Sequence, residues 1–174
     1  MQGPRAAATV KTSFSTRGAR RDPLTLVRDQ LSEGRDLYGR GAAAAAYEAW
    51  AKGAASLKDQ LQEGRVEATD RTLESPQQLH LSLELNLALA AGKLGRYPAA
   101  QTHAEAALTF HPNNPKAQFR LAHALASQGH TEEATRAAAE LTPELQAQVS
   151  AALKVHRKAE RGRAAKMLEG ASGP

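Results

Sequence analysis

The 174-residue chain has no cysteine, which excludes disulfides, thiolate metal sites and a cysteine nucleophile. Aromatic residues make up only 4 %, yet the apolar total is 41 %. Alanine and leucine carry most of that total. This mixture suits closely packed helices and argues against a β-sandwich, which favours β-branched and aromatic residues. No run of 18 apolar residues occurs, so no stretch reads as a membrane-spanning helix. Gly-rich phosphate loops, a Gly-x-Ser-x-Gly elbow and paired carboxylates are missing as well. His80, His103, His111, His123, His130 and His156 stand at no metal-ligand spacing. The reading is a protein that is not an enzyme, with no catalytic residue, metal or cofactor. His103 and His156 read as surface residues, and His123 as a groove residue.

Acids are absent from residues 1–21, which hold Arg5, Lys11, Arg17, Arg20 and Arg21. The formal net charge of +5 comes from that segment, because the remaining residues balance. Within the remainder, residues 154–174 carry six bases against Glu160 and Glu169, and the middle, 22–153, is net acidic. Basic character therefore sits at the two ends. A segment with so few large apolar side chains cannot bury enough surface to fold alone, so 1–21 reads as a disordered basic tail. Its Arg- and Ser-rich, acid-poor composition also fits an organelle transit peptide. The expected location is cytoplasmic, or an organelle if that second reading holds.

What the chain does have is a repeat. Gly95-Arg96-Tyr97-Pro98-Ala99-Ala100 and Gly129-His130-Thr131-Glu132-Glu133-Ala134 share one small-residue spacing, 34 positions apart. A less regular copy runs from Gly41 to Ala46, one period plus 20 residues earlier. Glycine past the end of a first helix can take positive φ. Alanine one turn into the second helix lets the two helices approach, where a larger side chain would overpack the crossing. Trp50 and Tyr97 are the expected large partners.

Helix signals surround these units. Asp22-Pro23 opens a helix whose Leu24, Val27, Leu31 and Tyr38 share a stripe. The alanine run from Gly41 starts the next, with Tyr47, Trp50, Leu57 and Leu61. Residues 63–76 lose periodicity and hold the insertion. Ser75 caps a helix with Pro76 in its first turn, despite the strand-like alternation of leucines that follows. Segments 97–109, 116–128 and 131–141 continue the series, separated by the break His111-Pro112-Asn113-Asn114-Pro115. The domain is expected over 22–168, with repeats at about 28–62, 76–111 and 116–141, a capping helix at 143–168 and a flexible tail at 169–174.

A helix-turn-helix period of 34 resembles the tetratricopeptide repeat, or TPR. The implied fold is all-α: a TPR solenoid of three helical hairpins plus a C-terminal capping helix. Residues 85–100 and Pro112–Arg120 resemble the second and third repeats of TPR co-chaperones. The long first hairpin and basic final helix are similar to the TPR domains of large immunophilins and their inactive relatives. The resemblance implies a protein-interaction module that holds the acidic C-terminal tail of a heat-shock chaperone in its concave groove. The alternative is a TPR scaffold or adaptor for an unrelated protein partner. No small-molecule substrate is expected, and contact with RNA or an anionic membrane would run through the basic ends.

In that family a carboxylate clamp uses Lys and Asn from the first repeat, Asn from the second, and Lys and Arg from the third. The matching positions here are Asn86, Lys116 and Arg120 as peptide-binding residues. The first repeat departs from the pattern: Leu31 stands at the lysine position and Arg35 at the asparagine position. Arg35 is the candidate to supply positive charge from a shifted place.

Overall fold

In the computed structural model, which describes residues 22, 24–64 and 75–171, the chain forms seven helices and, among the described residues, no strand. They are α1 (Thr25–Gly39), α2 (Ala43–Gln62), α3 (Pro76–Lys93), α4 (Tyr97–Phe110), α5 (Pro115–Gln128), α6 (Thr131–Ala137) and α7 (Pro143–Ala171). Residues 1–21, read above as a basic tail, lie outside the described residues, as do 65–74 within the insertion.

The helix starts follow local chemistry. Ser75 caps α3 with a reciprocal box: Ser75 Oγ accepts from the Gln78 amide, and Gln78 Oε1 accepts from the Ser75 amide, both at 3.2 Å. Asn114 caps α5 from one side only, its Oδ1 accepting from the Lys116 and Ala117 amides at 3.1 Å. At α1 the helix proper begins three residues after Asp22, whose Oδ1 accepts from the Leu24 amide at 3.0 Å. The Asp22 carboxylate also pairs with Arg28, and that bond, then the Leu24 amide, hold its pKa below the usual aspartate value.

Three glycines close the first helix of every hairpin in one way. Gly41, Gly95 and Gly129 have φ of +83°, +71° and +88°. The amide after each reaches back to a carbonyl five residues earlier: Ala42 to Leu37, Arg96 to Ala91 and His130 to Leu125. This is the Schellman arrangement, and it needs a residue without a Cβ at the left-handed position. The irregular first copy thus has the same geometry as the other two.

Each hairpin packs its own pair, α1 with α2, α3 with α4 and α5 with α6, while α2 rests on α3 and α4 on α5. The backbones of the first helices also approach, α1 with α3 and α3 with α5, whereas those of α2 and α4 stay further apart and meet only through side chains. That asymmetry bends the array, with α1, α3 and α5 on the inner side. The long α7 lies against α5.

Burial differs between the two ends. Near the first hairpin the core holds large side chains: Val27, Leu31, Trp50, Leu57, Leu79, Leu83 and Leu87. Further along it turns to alanine, with Ala91, Ala100 and Ala124 at one seam and Ala122, Ala126, Ala134 and Ala138 at the next. Small residues let these backbones close without voids. Trp50 fills the role expected of it. Tyr47, rather than Tyr97, is the aromatic packed on the Ala91–Ala100–Ala124 seam.

The two histidines read as surface residues are instead half-buried. His103 Nδ1 lies 2.8 Å from the carboxylate of buried Glu84, and its Nε2 lies 3.0 Å from the Tyr47 hydroxyl. This chain ties α2, α3 and α4 together and gives a buried carboxylate its hydrogen-bond partner. His156 on α7 packs against Gly129. Both are covered by a neighbouring hairpin or the cap, contacts with no local sequence signal.

Candidate peptide-binding groove

The inner faces of α1, α3 and α5 enclose a cavity of about 320 Å³. Tyr38 of α1, Leu89 and Lys93 of α3, Phe119, Arg120 and His123 of α5 and Gln148 of α7 are among its walls. Tyr38 reaches the cavity because it ends the α1 stripe, stacking 5.9 Å from Trp50. Phe119 and His123 stand one helical turn apart with ring centroids 5.9 Å apart.

Arg120 is the charged centre of this cavity. Its guanidinium donates to the Leu85 carbonyl, linking α5 to α3. Burial pulls its pKa down, and the Tyr38 phenol acts in the opposite sense. Arginine nevertheless stays cationic, so the cavity holds a partly desolvated positive charge with spare N–H donors. Burial also pushes the His123 imidazole below the ordinary histidine value, which favours its neutral form. Lys93 adds an exposed cation at the rim.

Residues 88–159 match the family described as tetratricopeptide repeat. Over those residues the chain carries tetratricopeptide repeats. The C-terminal TPR-containing domain of a Plasmodium falciparum FK506-binding protein has a similar structure, with a TM-score of 0.63 and 22 % identity over 80 % of this chain and 93 % of that one. The TPR domain therefore resembles that of an immunophilin in fold. No curated protein matches the sequence.

The residues at the positions that match the family's clamp have unequal surroundings. Arg120 lines the cavity. Asn86 is half-buried on α3, one residue past the carbonyl that Arg120 holds, and its amide has no hydrogen-bond partner among the described residues. Lys116 is exposed in the first turn of α5, one turn before Arg120. Arg35 is exposed on α1 and is not among the cavity walls. Leu31 is 2 % exposed and belongs to the core, with its carbonyl accepting from Trp50 Nε1 at 3.1 Å. The groove therefore has no cation at the first-repeat lysine position.

Sequence reading missed Tyr38, Lys93, Phe119 and Gln148 as cavity residues. Lys93 was within reach of it: seven residues after Asn86, it shares that residue's helix face. Gln148 was not, because only the docking of α7 across α5 brings it to the cavity.

Proposed function

We propose that the TPR domain is a non-catalytic interaction module that binds the acidic C-terminal tail of a heat-shock chaperone on its inner face. The observation that carries this reading is the partly buried Arg120 guanidinium facing a cavity whose rim bears Lys93. Arg120 can grip a carboxylate with two parallel bonds, and Lys116 adds a mobile point charge one turn away. Lys116 also stands at the positive end of the α5 dipole, so an anion arriving there meets two favourable fields. The free amide of Asn86 offers a neutral donor. A leucine at the first-repeat lysine position removes one charged contact, worth about 1.5–3 kcal/mol or roughly 10- to 100-fold in affinity.

Calorimetry with a peptide ending Glu-Glu-Val-Asp is expected to give a micromolar Kd. Lys116→Ala and Arg120→Ala should each weaken it by roughly 10-fold or more. Absence of heat with a folded sample would sink the reading. The apolar walls Tyr38, Leu89 and Phe119 favour a second reading, an adaptor for an unrelated protein segment with a bulky apolar side chain.

His123 gives the reading a pH signature. Its folded-state pKa is depressed, so the stability that its neutral form contributes is fully present above the unfolded value and is lost as pH falls through the lower folded value. A bound carboxylate favours the protonated ring, so affinity for an acidic peptide should rise between pH 7.5 and 5.5. The expected gain is on the order of twofold to fivefold. His123→Gln should flatten that profile, and an unchanged slope in the variant would remove His123 from the binding face.

A further inference from the structure

The outer half of α7 is a strongly charged surface that no other helix covers. From Lys154 to Met167 every side chain is exposed except His156. Val149 is buried, and Ala152, Leu153 and His156 are half-buried, which fixes the side of α7 that faces the body. At about 100° per residue, Lys154, Arg157, Lys158 and Arg161 fall in one arc of about 100°, centred roughly 140° away from that side. Arg163 and Lys166 extend the positive charge along the helix. The one acid within 154–167, Glu160, lies 3.7 Å from His156, and none of the six cations has an ion pair among the described residues.

We propose that this stripe binds the phosphate backbone of double-stranded nucleic acid. Four cations over about 10 Å of helix meet a lattice with one charge per about 1.7 Å of duplex axis, so all four find phosphates in any register. Ala164 and Ala165, within or beside that arc, leave room for close approach. The segment has no aromatic side chain on which unpaired bases could stack, which favours a duplex over a single strand. A membrane surface fits less well. Among the described residues of α7 the exposed large apolar side chains are Val155 and Met167, 70 % and 76 % exposed, and they point about 120° apart. They form no common apolar face to insert between lipids.

The test is fluorescence anisotropy of the full chain with labelled 20-base-pair DNA and RNA duplexes from 50 to 200 mM NaCl. Binding should weaken about 100-fold across that range, a log–log slope near −3 to −4 for four phosphate contacts. The combined variant Lys154→Gln, Arg157→Gln, Lys158→Gln and Arg161→Gln should lose binding and slope while keeping its circular dichroism spectrum. Arg120→Ala should bind duplex like the parent chain. No duplex binding at 50 mM salt overturns the proposal. So does an unchanged slope in the glutamine variant, or binding to phosphatidylserine vesicles or polyglutamate with none to duplex.

Discussion

Trp50→Ala is expected to remove about 3–5 kcal/mol of folding stability, the range for truncating a buried tryptophan. Trp50 is 1 % exposed and sits between α1 and α2. Its ring takes the space a side chain at Gly34 would need: a Cβ built there falls within 2.6 Å of three indole atoms. Its Nε1 donates to the Leu31 carbonyl at 3.1 Å, so the polar atom is satisfied in the core. Truncation therefore leaves a cavity and an orphaned contact, in a domain whose total stability is of order 5–15 kcal/mol. Urea denaturation followed by circular dichroism measures the loss. Gly34→Ala approaches the same joint from the other side. It keeps the fluorophore, and the emission of this lone tryptophan should shift to the red as the ring is pushed toward water. A loss below about 1 kcal/mol in Trp50→Ala, with unshifted emission in Gly34→Ala, would show that the first hairpin does not depend on this contact. The consequence reaches the groove, since Tyr38 stacks on Trp50 and lines the cavity.

Gly129→Val should release the capping helix. Positive φ costs a side-chain-bearing residue about 1–2 kcal/mol, and a β-branched one is strained further. The new Cβ would stand 2.5 Å from His156 Cε1, so the ring of α7 must move. Overpacking of that kind adds about 1–3 kcal/mol. Hydrogen exchange is the decisive measurement. Amides of α7 should lose protection while those of α2 and α3 keep theirs, because the first hairpin has its own core. Uniform protection across the chain would contradict a cap held by this contact. Since Gln148 of α7 forms part of the cavity, peptide affinity should fall in the same variant.

Much of the fold was legible because its signals are local. Ser75-Pro76 and Asn114-Pro115 announce their helices through groups within three residues. The three glycines mark positive φ, and the 34-residue spacing marks repetition. The alternating leucines of α3 look like a strand, but their surroundings lack β-branched residues. In the structure Leu79, Leu83 and Leu87 bury one face, while Leu89 turns to the cavity. The site was less legible. Arg120 stood out through its resemblance to the family's third-repeat pair, yet its bond to the Leu85 carbonyl joins residues 35 apart in sequence. His103 looked like a surface residue because Glu84 and Tyr47 lie on two other helices.

By itself the sequence determined which segments are helical and that they recur, since capping, φ freedom and propensity act over a few residues. Two helix ends differ from it: α6 stops at Ala137, short of the 131–141 segment expected, and α7 continues to Ala171, past the 168 expected. Tertiary structure alone decided which helix faces meet. It joined Tyr38, Arg120 and Gln148 from three helices into one cavity and set the basic arc of α7 away from the body. The physical reason is that packing contacts depend on how hairpins cross, and the crossing is set by the summed fit of many buried side chains that no local pattern records.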